Sequence, residues 1–260
     1  LHSTPISMES RMKTQFVADF EAYMPTVFNG KPYGKFGLLS LADEVGIDVC
    51  VVFPAGVPSD PRPLNADLLR EVAGEPRILP GCLVNPTMGA SASDDLKKCV
   101  DQGARTVKLM AALHGYRVDS TCADPIMEQA ASFGITATVH SGSPMSGCSP
   151  QYIGNLARRH PDVTIIMDHM GYREWVELAV EVAIENANVY LGTTLIAAAE
   201  PISIKNIVRS NRIGADRIIF GSNSPSGIAL HGVKGIRNVG FTEQEESLIL
   251  GQNLKQIYQL

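Results

Sequence analysis

The chain has 260 residues, of which 45% are hydrophobic, and its 22 basic and 27 acidic side chains give a formal net charge of −5. The charges are mixed along the chain without a basic stripe, which excludes nucleic acid as an expected partner, and no apolar run approaches the roughly 20 residues of a membrane helix. The length allows one large hydrophobic core and no Pro/Ser-rich linker divides it, so we predict a single domain over residues 1–260.

Five cysteines are spread along the chain at irregular spacing, without a CxxC pair. An odd number of widely separated cysteines, two of them inside apolar runs, is typical of reduced thiols in a cytosolic protein. No charged and then apolar segment opens the sequence, as a signal peptide would. We therefore expect a cytoplasmic location.

Seven short apolar runs rich in β-branched residues recur along the chain, with turn residues at both ends. They cover residues 46–54, 77–86, 104–110, 134–142, 162–171, 188–194 and 216–223. Apolar residues at i, i+3 and i+4 predict helices between them, over residues 64–74, 92–103, 123–134, 150–161, 173–186 and 199–211. Strands that are apolar on both faces and alternate with helices indicate a parallel sheet covered on both sides.

This repeat of one strand and one helix leaves two architectures, an open doubly wound sheet and an eight-stranded (β/α) barrel. No GxGxxG motif follows any of the predicted strands, which disfavours the dinucleotide-binding form of the open sheet. In both architectures the carboxyl ends of the strands gather at one mouth, so the residues at those ends are the candidates for chemistry.

Each predicted strand ends in a distinctive residue. These are Pro54, Asn85, Lys108, His140, His169, Thr193 with Thr194, and Asn223. His140 and His169 lie one βα unit apart, which places them on neighbouring strands facing a shared volume. Two imidazoles so placed are suitable as ligands of a metal such as zinc, or as one ligand and one general base. A single strand-end histidine is more often a hydrogen-bonded rim residue, and the presence of two favours a functional site.

Lys108 alternates with apolar neighbours in TVKLM, so we predict that it points inward, where a lysine needs a partner. It could orient a substrate carboxylate, carry a carbamate that bridges metals, or form a core ion pair. His114, in the loop after this strand, could reach a substrate or stand in solvent. Asn85 and Thr194 are candidates for substrate contacts from other strand ends.

The order of these motifs resembles a known family. GIDVCVVFP, LVNP, ARTVKLM, TVHSGSP, RRHPDVTIIMDHMG, NVYLGTT and DRIIFGSNSP, closed by GQNLKQIYQL, resemble the amidohydrolase superfamily from about residue 35 to the end. The resemblance is closest to the amidohydrolase-related branch, which includes aminocarboxymuconate-semialdehyde decarboxylase-like proteins. It implies a TIM-type (β/α)8 barrel, and because no clear strand precedes residue 46, we predict that the first strand is missing or rudimentary.

The resemblance also implies a mononuclear or dinuclear metal site, often with zinc. His140 falls on a metal-ligand position and His169 on a position used as ligand or acid/base. Asn223 falls where members carry aspartate, and its amide can ligate weakly but cannot take a proton. Members also carry His-x-His on the first strand. Here either His2 is the first of that pair, with Thr4 in place of the second, or the pair precedes the given sequence. The implied ligands are therefore His2, His140, His169 and Asn223, a set that weakens the binding of zinc or another divalent metal.

From this resemblance we expect a metal-dependent hydrolase acting on a small carboxylated molecule. His169 would act as acid/base, Lys108 would neutralise substrate charge, and Asn223 would position the nucleophile. Two alternatives stay open, a metal-dependent non-oxidative decarboxylase of the same family and a catalytically silent barrel that binds a metabolite or a partner chain. Relatives often pair, so a homodimer is compatible with the sequence.

Overall fold

The structure, a computed structural model, describes residues 15–210, 212–225 and 228–260. Within these ranges, eight strands form one sheet in which each strand pairs in parallel with the next along the chain. They are β1 (Ala18–Met24), β2 (Val49–Pro54), β3 (Ile78–Val84), β4 (Thr106–Leu109), β5 (Thr136–Val139), β6 (Ile165–Met167), β7 (Val189–Gly192) and β8 (Ile218–Ile219). A short hairpin of Val27–Phe28 and Lys31–Pro32 follows β1. The seven strands predicted from the sequence are thus β2 to β8.

Helices lie between the strands, and they include the six that the sequence pattern predicted. Apart from two single turns at Ala111–His114 and Ile196–Ala199, they are α1 (Gly34–Val45), α2 (Arg62–Val72), α3 (Ala90–Asp101), α4 (Asp124–Phe133), α5 (Pro150–Arg159), α6 (Val176–Glu185), α7 (Pro201–Arg209) and α8 (Ala229–Asn238). The chain ends in α9 (Glu243–Ser247), a π-helical turn at Leu248–Gln252 and α10 (Asn253–Tyr258). None of the helices in the described residues is long and apolar enough to span a membrane.

The sheet closes on itself between β1 and the segment that contains β8. Three backbone hydrogen bonds join the two, from Phe20 N–H to Phe220 O (3.0 Å), from Asn223 N–H to Glu21 O (2.9 Å) and from Tyr23 N–H to Ser224 O (2.8 Å). A closed barrel pairs the backbone groups that an open sheet would leave at its edges. The predicted TIM-type (β/α)8 barrel is confirmed.

The prediction of a missing or rudimentary first strand is wrong, because Ala18–Met24 is a seven-residue strand paired with β2. Its sequence, ADFEAYM, carries two acidic residues that are both fully buried, so it lacks the apolar character of the other strands. Burial of charge is costly without partners, and for this reason an acidic run is not expected in a barrel core. The partners of Asp19 and Glu21 come from distant strands.

A β-bulge in β1 positions these side chains. The register on β2 shifts between Asp19 and Ala22, which breaks the alternation of faces along the strand. As a result the consecutive residues Phe20 and Glu21 both reach the barrel interior. Phe20 joins the interior apolar cluster, and Glu21 contacts Lys108 of β4.

The core has two layers, one between the barrel and the helices and one inside the barrel. The inner layer is small because Phe20 takes up much of the space. A Cβ added at Gly192 or Gly221 would lie 2.3 or 2.2 Å from the Phe20 ring, so β7 and the segment after β8 need glycine at these positions. Leu254 and Tyr258 of α10 join the same layer and cover the amino ends of the strands. The carboxyl ends remain as the place for a site.

Candidate functional site

A buried group of polar side chains lies across the carboxyl half of the barrel. We call Glu21, Tyr23, Lys108, Asp168 and Thr194 the charged floor. The Lys108 ammonium donates to Glu21 Oε1, to Asp168 Oδ2 at 3.1 Å and to the Tyr23 hydroxyl at 2.6 Å. Tyr23 donates to Glu21 Oε1 at 2.6 Å, and the Thr194 hydroxyl donates to Glu21 Oε2 at 2.7 Å. Lys108 is only 1% exposed.

The charges of the floor depend on one another. Burial raises the pKa of Glu21, and the negative charge of Asp168 raises it further. Burial also acts to raise the pKa of Asp168, but the charges of His169 and Lys108 outweigh it and lower that pKa. Burial acts to lower the pKa of Lys108, but Asp168 and Glu21 outweigh it and raise that pKa well above its ordinary value. The floor therefore favours a charged Lys108–Asp168 pair, with any added proton on Glu21.

Two imidazoles lie above the floor. The ring centroids of His140, which follows β5, and His169, which follows β6, are 5.1 Å apart, with an edge-to-face angle of 77°. His169 Nε2 lies 3.3 Å from Asp168 Oδ2, and its Nδ1 lies 3.4 Å from the Thr194 carbonyl oxygen. Each ring nitrogen of His169 thus faces an acceptor.

His140 has the opposite environment. Burial, together with the positive charges of His169 and Lys108, lowers the pKa of His140 to about 3. Its ring is therefore neutral near pH 7. Its Nδ1 is buried and has no hydrogen-bond partner among the described residues, and the same holds for Asp168 Oδ1. These two atoms are the ones that a bound molecule could satisfy.

The backbone at this end of the barrel takes left-handed conformations at non-glycine residues. His169, Leu195 and Asn223, which follow β6, β7 and β8, have φ values of 55°, 68° and 58°. This conformation is uncommon at residues other than glycine. Where it occurs it clusters at functional sites, because the surrounding packing there keeps the backbone in a strained conformation. The strain here lies at the same strand ends as the histidines.

Two of the predicted substrate contacts instead hold a loop in place. Asn85 donates to the Ser59 carbonyl at 2.8 Å, and its oxygen accepts from the Thr87 backbone and hydroxyl. His114 Nε2 lies 3.1 Å from the Pro58 carbonyl. Both side chains thus contact the backbone of the loop after β2, and neither contacts a residue of the charged floor.

The other predicted residues fall in three places. Lys108, His140, His169 and Thr194 come together. Asn223 adjoins them through its backbone, which donates to Glu21 O at 2.9 Å. His2 lies outside the described residues.

Sequence reasoning missed Glu21, Tyr23 and Asp168. Asp168 could have been identified from the sequence, because it immediately precedes His169 at the strand end in MDHMG. Glu21 and Tyr23 carried a weaker signal, an acidic and an aromatic residue two apart in the run VADFEAYM. Only the pairing of β1 with β2 and β8 places them on the floor.

Metal binding can be tested against this geometry. Glu21, Asp168 and His169 offer ligand atoms that all lie within 4.8 Å of one another, the one such group of three or more His, Cys, Asp or Glu side chains in the described ranges. Carboxylate and imidazole are suitable ligands for zinc or manganese. However, the Lys108 ammonium already contacts both carboxylates. A divalent ion there would face a cation a few ångströms away in a buried site, so these residues do not fit the ion while Lys108 holds its place.

Comparisons with known proteins agree with the fold. The family model described as Amidohydrolase matches residues 54–253. A search of curated proteins finds no match.

Three solved structures illustrate the likeness. One is an uncharacterized TIM-barrel protein from Bordetella bronchiseptica, with 18% identity, a TM-score of 0.75 and coverage of 93% of this chain and 97% of that chain. Another is 5-carboxyvanillate decarboxylase from Sphingomonas paucimobilis, with 13% identity, a TM-score of 0.72 and coverage of 95% and 100%. The third is dihydroxybenzoic acid decarboxylase from Polaromonas sp. JS666 with bound manganese and 2-nitroresorcinol, with 16% identity, a TM-score of 0.71 and coverage of 95% and 97%. At these identities the likeness is one of fold.

Proposed function

This chain belongs to the amidohydrolase family, and from that premise we propose that it is a non-oxidative decarboxylase of a small aromatic or unsaturated carboxylic acid. The observation that carries the proposal is the environment of His169. Its two ring nitrogens face the Asp168 carboxylate and the Thr194 carbonyl, and the ring lies beside the neutral His140. Two neighbouring imidazoles with such different surroundings are suited to act as the acid and the base of one reaction.

His169 is suited to deliver a proton. Its contacts of 3.3 and 3.4 Å are long for N–H···O hydrogen bonds, so neither acceptor binds the proton tightly. The proton passes from His169 to the substrate carbon that bears the carboxylate. A π electron pair of the substrate forms the new C–H bond. The carbon–carbon bond then breaks, its electron pair restores the double bond at that carbon, and carbon dioxide leaves. Water returns one proton to His169, so one carboxylate and one proton give carbon dioxide and one new C–H bond.

The other residues have supporting roles. His140 offers an unpartnered nitrogen to a hydroxyl or carboxyl group of the substrate. Lys108 and Asp168 act through His169 and not on the substrate. The Asp168 carboxylate contacts and orients His169, and the Lys108 ammonium contacts Asp168. Lys108 and Asp168 are therefore positioning residues. The substrate in this proposal is a small molecule, and a homodimer stays a prediction.

The names of two structural neighbours support this choice, since each is a decarboxylase of a substituted benzoic acid. The manganese in one of them, like the zinc expected from the sequence, would in this chain require Glu21, Asp168 and His169 as ligands and the departure of Lys108. We therefore derive the reaction from the protein side chains alone.

Hydrolysis of an amide, ester or lactone is the second candidate. The observation that favours it is the neutral His140, whose free nitrogen could accept a proton from water. Asn223 weakens it, because an amide at the end of β8 cannot deprotonate a nucleophile. Product analysis separates the two reactions, since only decarboxylation releases carbon dioxide.

The proposal is tested with a panel of hydroxybenzoic acids that includes 2,6-dihydroxybenzoate and 5-carboxyvanillate. We expect release of carbon dioxide and, in deuterated water, one deuterium at the vacated carbon. His169→Asn should lower kcat by at least about 100-fold, the lower range for removal of a general acid. His160→Asn is the matched control, since His160 follows α5 and pairs with Asp124, the first residue of α4, and not with a residue of the floor. Carbon dioxide release that is unchanged in His169→Asn, or absent for every acid tested, would contradict the proposal.

A further inference from the structure

The charged floor has the form of a cation site. Three acceptor side chains from β1 and the end of β6 converge, and they are the carboxylates of Glu21 and Asp168 and the imidazole of His169. Both carboxylates are completely buried. Two buried carboxylates so close together need a compensating positive charge, because each raises the cost of ionising the other.

Lys108 supplies that charge. Its ammonium contacts one oxygen of each carboxylate and the Tyr23 hydroxyl, so its three N–H donors each have an acceptor. The aromatic rings of Tyr23 and Phe53 lie 5.0 and 4.9 Å from Nζ, within the range of cation–π attraction. The ammonium is thus enclosed on several sides, as a bound metal ion would be.

Charge counting supports the same conclusion. Glu21 and Asp168 carry two negative charges when both are ionised, and Lys108 cancels one of them. A divalent ion added beside Lys108 would leave the buried group with a net positive charge, whereas a divalent ion in place of Lys108 would cancel both carboxylates. The ion and the ammonium therefore exclude each other at this position.

We propose that Lys108 takes the place of a divalent metal in this barrel, so that the wild-type protein holds no metal at the floor and removal of Lys108 creates a site for manganese or zinc. This inference rests on the contacts of the floor and not on the proposed reaction. The sequence feature that carries it is the single charged residue in the buried strand β4, TVKL.

The test is the metal content of the wild-type protein and of Lys108→Met, which keeps the length of the side chain without its charge. Each protein is incubated with manganese or zinc chloride, freed of unbound metal and measured by plasma mass spectrometry. We expect less than about one-tenth of an ion per chain in the wild type and about one ion per chain in Lys108→Met. Manganese should also raise the melting temperature of the variant and leave that of the wild type unchanged.

Two further variants control the result. Lys205→Met removes a lysine of α7 that donates to the Val239 carbonyl, and it should bind no more metal than the wild type. Glu21→Gln combined with Lys108→Met should lose the new site, because it removes one charged ligand.

About one ion per chain in the wild type would overturn the inference, as would a folded Lys108→Met that binds none. If Lys108→Met does not fold, the wild-type metal content decides alone. Absence of any decarboxylation would contradict the proposed function and would leave the metal-content measurements unaffected.

Discussion

Two buried carboxylates on β1 lie two residues apart and have different surroundings. Asp19 belongs to what we call the seam cluster, Asp19, Ser222 and Ser224, where β1 meets the segment after β8. It accepts hydrogen bonds from the backbone N–H groups of Ser222 and Glu21, at 2.9 and 3.0 Å, and from the Ser222 hydroxyl. Glu21 belongs to the charged floor and contacts the Lys108 ammonium. The bulge in β1 produces this separation.

The difference shows two ways of burying a carboxylate. The seam cluster uses neutral donors, and burial, which outweighs those hydrogen bonds, raises the pKa of Asp19 to about 7. The floor uses a cation, and its groups form one network of opposite charges. The seam should therefore respond to pH, while the floor should respond to the loss of Lys108.

The largest effect is expected at the floor. With a chelator present, Lys108→Met should lower the free energy of unfolding by about 3–5 kcal/mol, because it leaves two buried carboxylates without a cation. Urea unfolding measures this loss. A loss of less than about 1 kcal/mol is the size expected for a surface ion pair. It would contradict the claim that the floor, unlike the seam cluster, depends on the Lys108 charge.

The next effect, of similar size, is expected at Asp19, and it depends on pH. Its folded pKa of about 7 lies above its ordinary value of 3.8, so the protonated form stabilises the fold. This contribution is fully present below pH 3.8 and is lost as the pH rises through about 7, and it amounts to something on the order of 4 kcal/mol.

Asp19→Asn removes this titration and keeps an amide oxygen as acceptor for the two N–H donors. The free energy of unfolding of the wild type, minus that of Asp19→Asn, should therefore fall between pH 4 and pH 7. Comparison of the two unfolding curves at each pH cancels the contributions of other groups. A difference that is constant over this range would contradict the assigned environment of Asp19.

The smallest effect is expected at Ser224. Its hydroxyl lies 2.6 Å from that of Ser222, and its backbone N–H donates to the same Ser222 oxygen at 2.9 Å. Ser224→Ala removes one hydroxyl contact and leaves the backbone bond, so the free energy of unfolding should fall by about 1 kcal/mol. This loss should be nearly independent of pH above pH 8, where Asp19 is ionised in both proteins. A loss as large as that of Lys108→Met would remove the distinction between the two clusters.

Much of the fold could be predicted from the sequence. Strands β2 to β8 are apolar on both faces and separated by amphipathic helices, and such strands are recognised by composition alone. The resemblance to the amidohydrolase superfamily is confirmed, since the family model matches residues 54–253. β1 escaped recognition because Asp19 and Glu21 interrupt its apolar run, and the groups that make their burial tolerable lie far away in sequence.

The site was predictable only in part. The strand-end position of His140 and His169 follows from the strand repeat, and the inward direction of Lys108 follows from alternation in TVKLM. Its partners do not follow, because Glu21 lies 87 residues from Lys108 and reaches it through the bulge of β1. Asn85 and His114 were predicted as substrate contacts because of their place after strands. Their bonds to the loop after β2 depend on loop geometry that no local pattern encodes.

The replacement of a metal ion by Lys108 is tested most directly by diffraction from wild-type crystals grown with manganese chloride, with data collected at a wavelength where manganese scatters anomalously. If Lys108 replaces the ion, no anomalous peak should lie among Glu21, Asp168 and His169, and the Lys108 ammonium should contact both carboxylates. A strong peak bound by those three side chains, with Lys108 turned away, would contradict it.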